Sequence, residues 1–264
     1  MSATWNARLA KWPYFKTRIM PAIRDFGTCG SFGPLPEGLV TDAVVAEFHG
    51  VKDAIREQLT KLKNDWERRS LKGPNGKVWD LDIDPAPPWL PYPMNRGVGN
   101  ITSLFLYAWT RKYQPHLVIE SGVANGVSSS FILAAMVKNG YGSLVSVEVN
   151  DDTGVLVRPE YKTRWTRVVI PQNNKRAFDD AFYCHATAHG GAPSMFFHDS
   201  FHSYEWQMYE YETAHRYNTK FIASDDSQDN FAFVHFAQRL GATLNRSARF
   251  VMDDTRVLGI IEAR

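Results

Sequence analysis

The stretch LVIESGVANGVSSSFILAAM, Leu117–Met136, constrains the fold more than any other part of the chain. A short apolar run ends on an acid, Glu120. Gly122 and Gly126 bracket a turn, and a helix-forming run starts at once. Glycine is called for there because the backbone turns sharply and a ligand must approach without a Cβ in the way. The spacing sorts the ligands. A dinucleotide loop has Gly-x-Gly-x-x-Gly, but Ala124 and Val127 occupy its second and third positions. A phosphate loop ends in Gly-Lys-Ser/Thr, and Gly126-Val127-Ser128 has no lysine. What is left, acid-x-Gly-x-x-x-Gly, suits a ligand with a charged amino-acid portion and no phosphate. On this reading Glu120 meets an ammonium group through water or backbone groups. The loop carrying Ser121, Gly122, Ala124, Asn125, Gly126 and Ser128 cradles the ligand.

After this stretch, strand-like and helix-like segments alternate. Apolar runs at Leu117–Glu120, Leu144–Val149, Thr166–Ile170, Met195–His198 and Phe221–Ala223 read as strands. Val127–Lys138, Asn174–His185, Tyr204–Tyr217 and Phe231–Leu240 read as helices, the first closed by Asn139-Gly140. Such alternation implies a parallel sheet with helices on both faces. Arg249–Met252 and Val257–Glu262, flanking Asp253-Asp254-Thr255-Arg256, read as an antiparallel hairpin added at the edge.

The earlier part of the chain is different. Trp5, Trp12, Tyr14, Phe15, Phe26 and Phe32 are interleaved with Gly and Pro and are expected to dock on a surface. Between Thr41 and Ser70, Val51, Ile55, Leu59, Leu62 and Trp66 recur at steps of three and four, an amphipathic helix. Gly73-Pro74-Asn75-Gly76 ends it. Asp82–Pro93, with five prolines in twelve residues, is an extended connector to a helix at about Gly99–Lys112. The chain therefore divides into an N-terminal extension, residues 1–95, and a catalytic domain, residues 96–264. The extension is expected to act as a lid or as a contact in a homodimer. Trp89, Tyr92 and Met94 are its candidates for lining a substrate pocket.

The strand Leu144–Val149 presents Glu148 near its end, 22 residues beyond Gly126. In nucleoside-binding sheets an acid there accepts hydrogen bonds from both ribose hydroxyls. A solvated strand-end carboxylate is the plainer alternative. A second constellation, Asp199, His202, Asp225 and Asp226, falls at the ends of the next two strands. Strand C-termini form the ligand crevice of an open parallel sheet. Three carboxylates converging there repel unless a cation neutralises them, and Mg²⁺ prefers such oxygens. His202 suits a general base, since its ordinary pKa lies near neutrality. The alternatives are helix capping for the aspartates and loop ordering for His202.

The phrases VIESGVANGVSSSFIL, VSVEV, FFHDSFHSYEWQMYEYETA and ASDDS resemble the type 24 methyltransferase family, within the class I S-adenosylmethionine-dependent methyltransferases. The resemblance spans about Thr102–Gln238. It departs from the family's Asp-Gly-Asp-His-Ser-Tyr phrase at Phe201, which replaces the second acid. It implies a Rossmann-like, mostly parallel seven-stranded sheet and S-adenosylmethionine as donor. From related sugar and catechol O-methyltransferases it implies Asp199, Asp225 and Asp226 as ligands of Mg²⁺ or a similar divalent cation. His202 and Asp199 are then the catalytic candidates, and O-methylation of a small-molecule hydroxyl is the expected reaction. N- or C-methylation without metal, a nicotinamide-dependent oxidoreductase and a non-catalytic binding module of the same fold stay open.

Composition narrows the partners. The formal charge is +2 with no basic run, which disfavours nucleic acid. No uncharged apolar run reaches the length of a membrane span. The N-terminus mixes Arg, Lys and aromatics instead of a signal-peptide core, so a cytoplasmic protein is expected. Cys29 and Cys184 have no metal-ligand spacing and are expected to be free thiols.

Overall fold

The computed structural model describes residues 18, 21, 30–69, 90–92, 97–244, 246, 248–252 and 256–263. The strands are β1 (Gly30–Phe32), β2 (Leu117–Ser121), β3 (Ser143–Glu148), β4 (Trp165–Val169), β5 (Met195–His198), β6 (Phe221–Ser224), β7 (Ala248–Met252) and β8 (Val257–Glu262). They form one sheet in the order β1-β7-β8-β6-β5-β2-β3-β4. All neighbours pair in parallel except β8, which runs antiparallel to both β6 and β7.

Two expectations change here. The sheet has eight strands, not seven, because Gly30–Phe32 pairs along β7. The β7–β8 hairpin is not an added edge either. Its antiparallel strand sits inside the sheet, and β7 is covered on its other side by β1.

The helices are α1 (Asp42–Arg69), α2 (Asn100–Tyr113), α3 (Val127–Asn139), α4 (Lys175–Ala188), α5 (Tyr204–Arg216) and α6 (Ala232–Leu244). Their ends follow local chemistry. Asn174 caps α4 by accepting from the Ala177 amide at 3.0 Å, and Ser203 caps α5 by accepting from the Trp206 amide at 3.3 Å. Gly140, at φ 68°, closes α3. On one face of the sheet, Phe178, Phe182, Phe196, Tyr211, Phe233, Phe236 and Phe250 form a buried aromatic core. Each such ring contributes about 1.5–3 kcal/mol from burial. On the other face, Phe105, Trp109, Ile132, Leu133 and Met136 from α2 and α3 cover β2, β3 and β5.

The amphipathic stripe of α1 buries Phe48, Val51 and Ile55 against Tyr107, Phe131 and Ala135. Phe48 stacks on Phe131 with ring centres 5.0 Å apart. Glu47 bridges to α2, accepting from Tyr107 Oη and Arg111 Nε at 2.9 Å each. The described part of the early chain is thus core structure: α1 forms an outer layer on α2 and α3, and β1 joins the sheet. Trp5, Trp12, Tyr14, Phe15, Phe26, Cys29, Trp89, Met94, the Gly73–Gly76 break, most of the proline connector and the Asp253–Thr255 turn lie outside the described residues. Among those described, no helix is long and apolar enough to cross a membrane.

Candidate active site

The strand order reverses between β2 and β5, and a crevice opens beyond their C-terminal ends. A cavity of about 990 Å³ lies there, walled by Ser121–Ala124 after β2, Glu148–Asn150 after β3, Asp199–Ser203 after β5, and Asp226, Asp229 and Arg256. Tyr92 and Trp206 also face it.

The glycine loop is fixed mainly by the protein itself. Gly122 has φ 86°, and a Cβ there would stand 2.0 Å from the Asp199 carbonyl oxygen. Gly126 has φ 90°, and a Cβ there would stand 2.8 Å from Val157 Cγ2 and 2.9 Å from the Gly154 Cα. Both glycines are therefore required by neighbouring chain as well as by any ligand. Between them Ala124 also takes a left-handed φ of 46°. Glu148 ties the loop to β3: Oε2 accepts from the Val123 and Ala124 amides at 2.9 and 3.3 Å, and Oε1 from the Val149 amide at 2.6 Å. It remains on the cavity wall.

Glu120 stands elsewhere. It is fully buried and accepts from the hydroxyls of Ser128, Ser129 and Ser146 at 2.5, 2.6 and 2.7 Å. Burial pushes its pKa up, against the opposing pull of those three hydroxyls. It is absent from the cavity wall, so it braces the start of α3 against β3 rather than reaching toward a ligand. Ser128 belongs to this brace. Asn125 clasps the Tyr92 backbone, donating to its carbonyl at 2.7 Å and accepting from its amide at 3.2 Å. Tyr92 in turn is hydrogen-bonded through its hydroxyl to Asn150.

Of the second constellation, the structure brings together Asp199, His202 and Asp226, whose ligating atoms lie within 4.8 Å of one another. Asp225 is turned away. Its carboxylate is buried, accepting from Thr102 Oγ1 at 2.9 Å and from Arg256 Nη1 at 2.7 Å, and it does not line the cavity. The backbone explains the divergence. Asp226 adopts φ 48°, so the chain turns between the two aspartates and their side chains part. The expected three-aspartate metal set is therefore not formed. Burial raises the Asp225 pKa to about 6 and that of Asp199 well above the usual range; neighbouring aspartate charges add to both, and Arg256 opposes them.

His202 has a partner that the sequence did not single out. Its Nδ1 lies 3.1 Å from Asp229 Oδ2 and 3.6 Å from Asp226 Oδ2. A carboxylate accepts, so Nδ1 carries the proton and Nε2 keeps its lone pair. Nε2 is buried without a hydrogen-bond partner among the described residues, and the nearest acid oxygen, on Asp199, is 4.0 Å away. Burial pulls the His202 pKa down, but the Asp229 hydrogen bond and the charges of Asp226, Asp229 and Asp225 outweigh it, and the net shift is upward. His198 is a satisfied core histidine: Nδ1 is 2.5 Å from Glu210, Nε2 is 2.9 Å from the Gln207 amide, and burial holds its pKa down. Glu210 also accepts from Ser121 and Ser200 at 2.5 and 3.0 Å, linking three walls of the cavity. Arg256, Asp229 and Glu210 were all missed by sequence reasoning. Glu210 was the most accessible of them, since it lies on α5 in the acidic stretch after the histidine phrase.

A model of the type 24 methyltransferase family, described as a methyltransferase domain, matches residues 119–220. No curated protein matches the chain. Among solved structures, an O-methyltransferase from Bacillus cereus in complex with SAH is 12% identical, covering 63% of this chain and 83% of its own, with a TM-score of 0.48. The O-methyltransferase TomG from Streptomyces achromogenes, in complex with SAM, is 15% identical over 64% and 82%, with a TM-score of 0.49. The SAH-bound methyltransferase PaMTH1 from Podospora anserina is 11% identical over 93% and 96%, with a TM-score of 0.43. The family match runs from Ile119 within β2 to Lys220 just before β6, so it takes in the segments after β2, β3 and β5 that wall the cavity, and over those residues the chain is similar to the type 24 methyltransferase domain.

Proposed function

We propose that the chain transfers a methyl group from S-adenosylmethionine to a hydroxyl of a small molecule held in the cavity, with His202 as the base. The observation that carries this reading is the state of the imidazole: Nδ1 is anchored on Asp229, and Nε2 has no partner among the described residues. The donor fits the other half of the cavity. Glu148 is an acceptor at the end of β3, where ribose hydroxyls are bound in nucleoside-binding sheets, and Gly122–Ala124 present backbone without bulk. When bound, S-adenosylmethionine supplies a methyl group already activated by the positive sulfonium.

The protein's own work is alignment, exclusion of water and removal of one proton. His202 takes that proton at Nε2, and Asp229 and Asp226 stabilise the resulting imidazolium. Phe201, half exposed at the wall, and Trp206 give the acceptor an apolar surface. In this reading the segment before residue 96 closes the acceptor side, and its described contribution is Tyr92.

Metal assistance does not follow from these residues. Asp225 is engaged elsewhere, His202 commits Nδ1 to Asp229, and Asp226 lies 3.5 Å from Arg256. The test is calorimetric titration with S-adenosylmethionine, followed by a mass-shift screen of hydroxylated metabolites incubated with the donor. His202→Ala is expected to retain donor binding and lose turnover. A protein that does not bind the donor, or a His202→Ala variant at full rate, defeats the reading.

A further inference from the structure

The acid cluster contains its own cation. We infer that Arg256 fills the charge-balancing place that a divalent ion takes in a three-carboxylate site, so that this chain works without bound metal. For its activity arm the inference rests on the methyl-transfer reading; its binding arm does not.

Arg256 Nη1 stands 2.7 Å from Asp225 Oδ2 and 3.5 Å from Asp226 Oδ2, so one guanidinium serves both aspartates at the end of β6. It also faces the cavity. Its position is built in. The next residue, Val257, donates its amide to Gln228 Oε1 at 2.8 Å and accepts from the Ser227 amide at 2.9 Å, which locks the start of β8 to the loop after β6. Two residues on, Gly259 has no room for a Cβ, which would meet Phe233 at 2.5 Å and Ser227 Oγ at 2.6 Å. The close seating of β8 on that loop therefore depends on the glycine. Asp225 shows the consequence. One of its oxygens takes Arg256, the other takes Thr102, and neither is offered to the cavity.

A guanidinium stays charged at any working pH. A dication between Asp199 and Asp226 would meet that fixed positive charge at short range, and would have to recruit Asp226 away from it. Removing Arg256 does the reverse, leaving buried carboxylates without compensation and so favouring capture of a cation.

The experiment measures Mn²⁺ binding, by water-proton relaxation, to wild-type protein, Arg256→Gln and Arg256→Lys, each checked for folding by circular dichroism. Wild type and Arg256→Lys are expected to show no saturable site. Arg256→Gln is expected to bind one Mn²⁺ saturably, at least about tenfold more tightly than the weakest site the measurement detects, the effect of deleting one neighbouring like charge. Wild-type turnover is expected to be unchanged in excess chelator. A saturable Mn²⁺ site in wild type that Asp226→Asn abolishes, with equal affinity in Arg256→Gln, overturns the inference. Should Arg256→Gln fail to fold, wild type and Arg256→Lys decide the matter: a site in either overturns it, and its absence in both supports it. If the binding results hold and no protein turns over, the methyl-transfer reading falls and the role of Arg256 stands.

Discussion

His202 and Asp229, 27 residues apart in sequence, meet at 3.1 Å between Nδ1 and Oδ2. The contact fixes which nitrogen carries the proton and leaves Nε2 as the acceptor. Replacing His202 by Ala is expected to lower turnover by about 10²–10⁴-fold, the usual worth of a positioned base. Donor affinity should not change. Asp229→Asn keeps the hydrogen bond and loses its charge, so a smaller fall of about tenfold is expected, close to the difference between charged and neutral hydrogen bonds. Steady-state kinetics beside calorimetry separates the two effects, and an equal loss of donor binding would show that His202 only orders the loop.

The pH profile follows from the same contact. The His202 pKa is raised, so its neutral, base-competent form appears only above a midpoint higher than the ordinary value of about 6.5. Turnover should rise through that midpoint, and Asp229→Asn should move it down. Stability runs the other way. A folded pKa above the unfolded one stabilises the protein fully below the unfolded value, and this is lost as pH rises through the folded value. Melting temperature is thus expected to fall over the interval in which turnover appears. The raised Asp199 and Asp225 carboxyls push in the same direction at lower pH.

Sequence periodicity was sufficient where one segment decides its own structure. The strand at Leu117, the turn between Gly122 and Gly126 and the helix from Val127 all stand where their residues place them. Gly30–Phe32 escaped notice because three residues, Gly-Ser-Phe, carry no alternation. They are a strand only because β7 offers an open edge. The split of Asp225 from Asp226 was hidden for another reason. Adjacency in sequence says nothing about direction once the second residue turns left-handed. Asp229 and Arg256 reach the site from loops after β6 and before β8, so only the folded topology unites them with His202. Glu120 reads as a ligand residue by its motif, yet the three serines that hold it, Ser128, Ser129 and Ser146, were visible in the sequence as polar residues placed among apolar ones.

Glu148 both faces the cavity and holds the glycine loop. Glu148→Ala removes the acceptor for the donor's ribose and releases the Val123 and Ala124 amides. Donor affinity should fall by about 1–3 kcal/mol, the cost of losing a hydrogen bond to a charged group. Melting of the ligand-free protein should also fall. Glu148→Gln keeps one carbonyl acceptor for the loop, so it should restore most of the melting temperature while affinity stays reduced. Affinity for S-adenosylhomocysteine unchanged in both variants would remove Glu148 from the donor site.

Glu120 should behave as a structural brace. Glu120→Ala leaves three buried hydroxyls unpaired and opens a void beneath α3. The expected cost is about 2–5 kcal/mol, combining unsatisfied polar groups and a cavity. Chemical denaturation measures it. Donor binding, tested well below the melting point, should weaken less than stability does. A variant of normal stability that no longer binds donor would place Glu120 back in contact with the ligand.

Truncation separates the two parts of the early chain. Deleting residues 1–40 removes β1 and Leu39, which is buried with Trp109 and Met136 in the core beneath α2 and α3. It exposes the β7 edge and removes the Phe32–Phe250 contact, whose ring centres lie 5.7 Å apart. Loss of one core leucine alone costs about 2–5 kcal/mol. This truncation should therefore melt well below the full chain and lose donor and acceptor functions together. Deleting only residues 1–29 spares β1, Leu39 and α1. Such a protein should fold, melt near the full chain and bind donor normally. Its acceptor turnover then tests whether that segment shields the cavity, because methyl transfer benefits from exclusion of bulk water. A cover predicts retained donor affinity with turnover reduced. Full turnover in the shorter truncation would restrict the contribution of the early chain to its part in the core and to Tyr92 at the cavity wall.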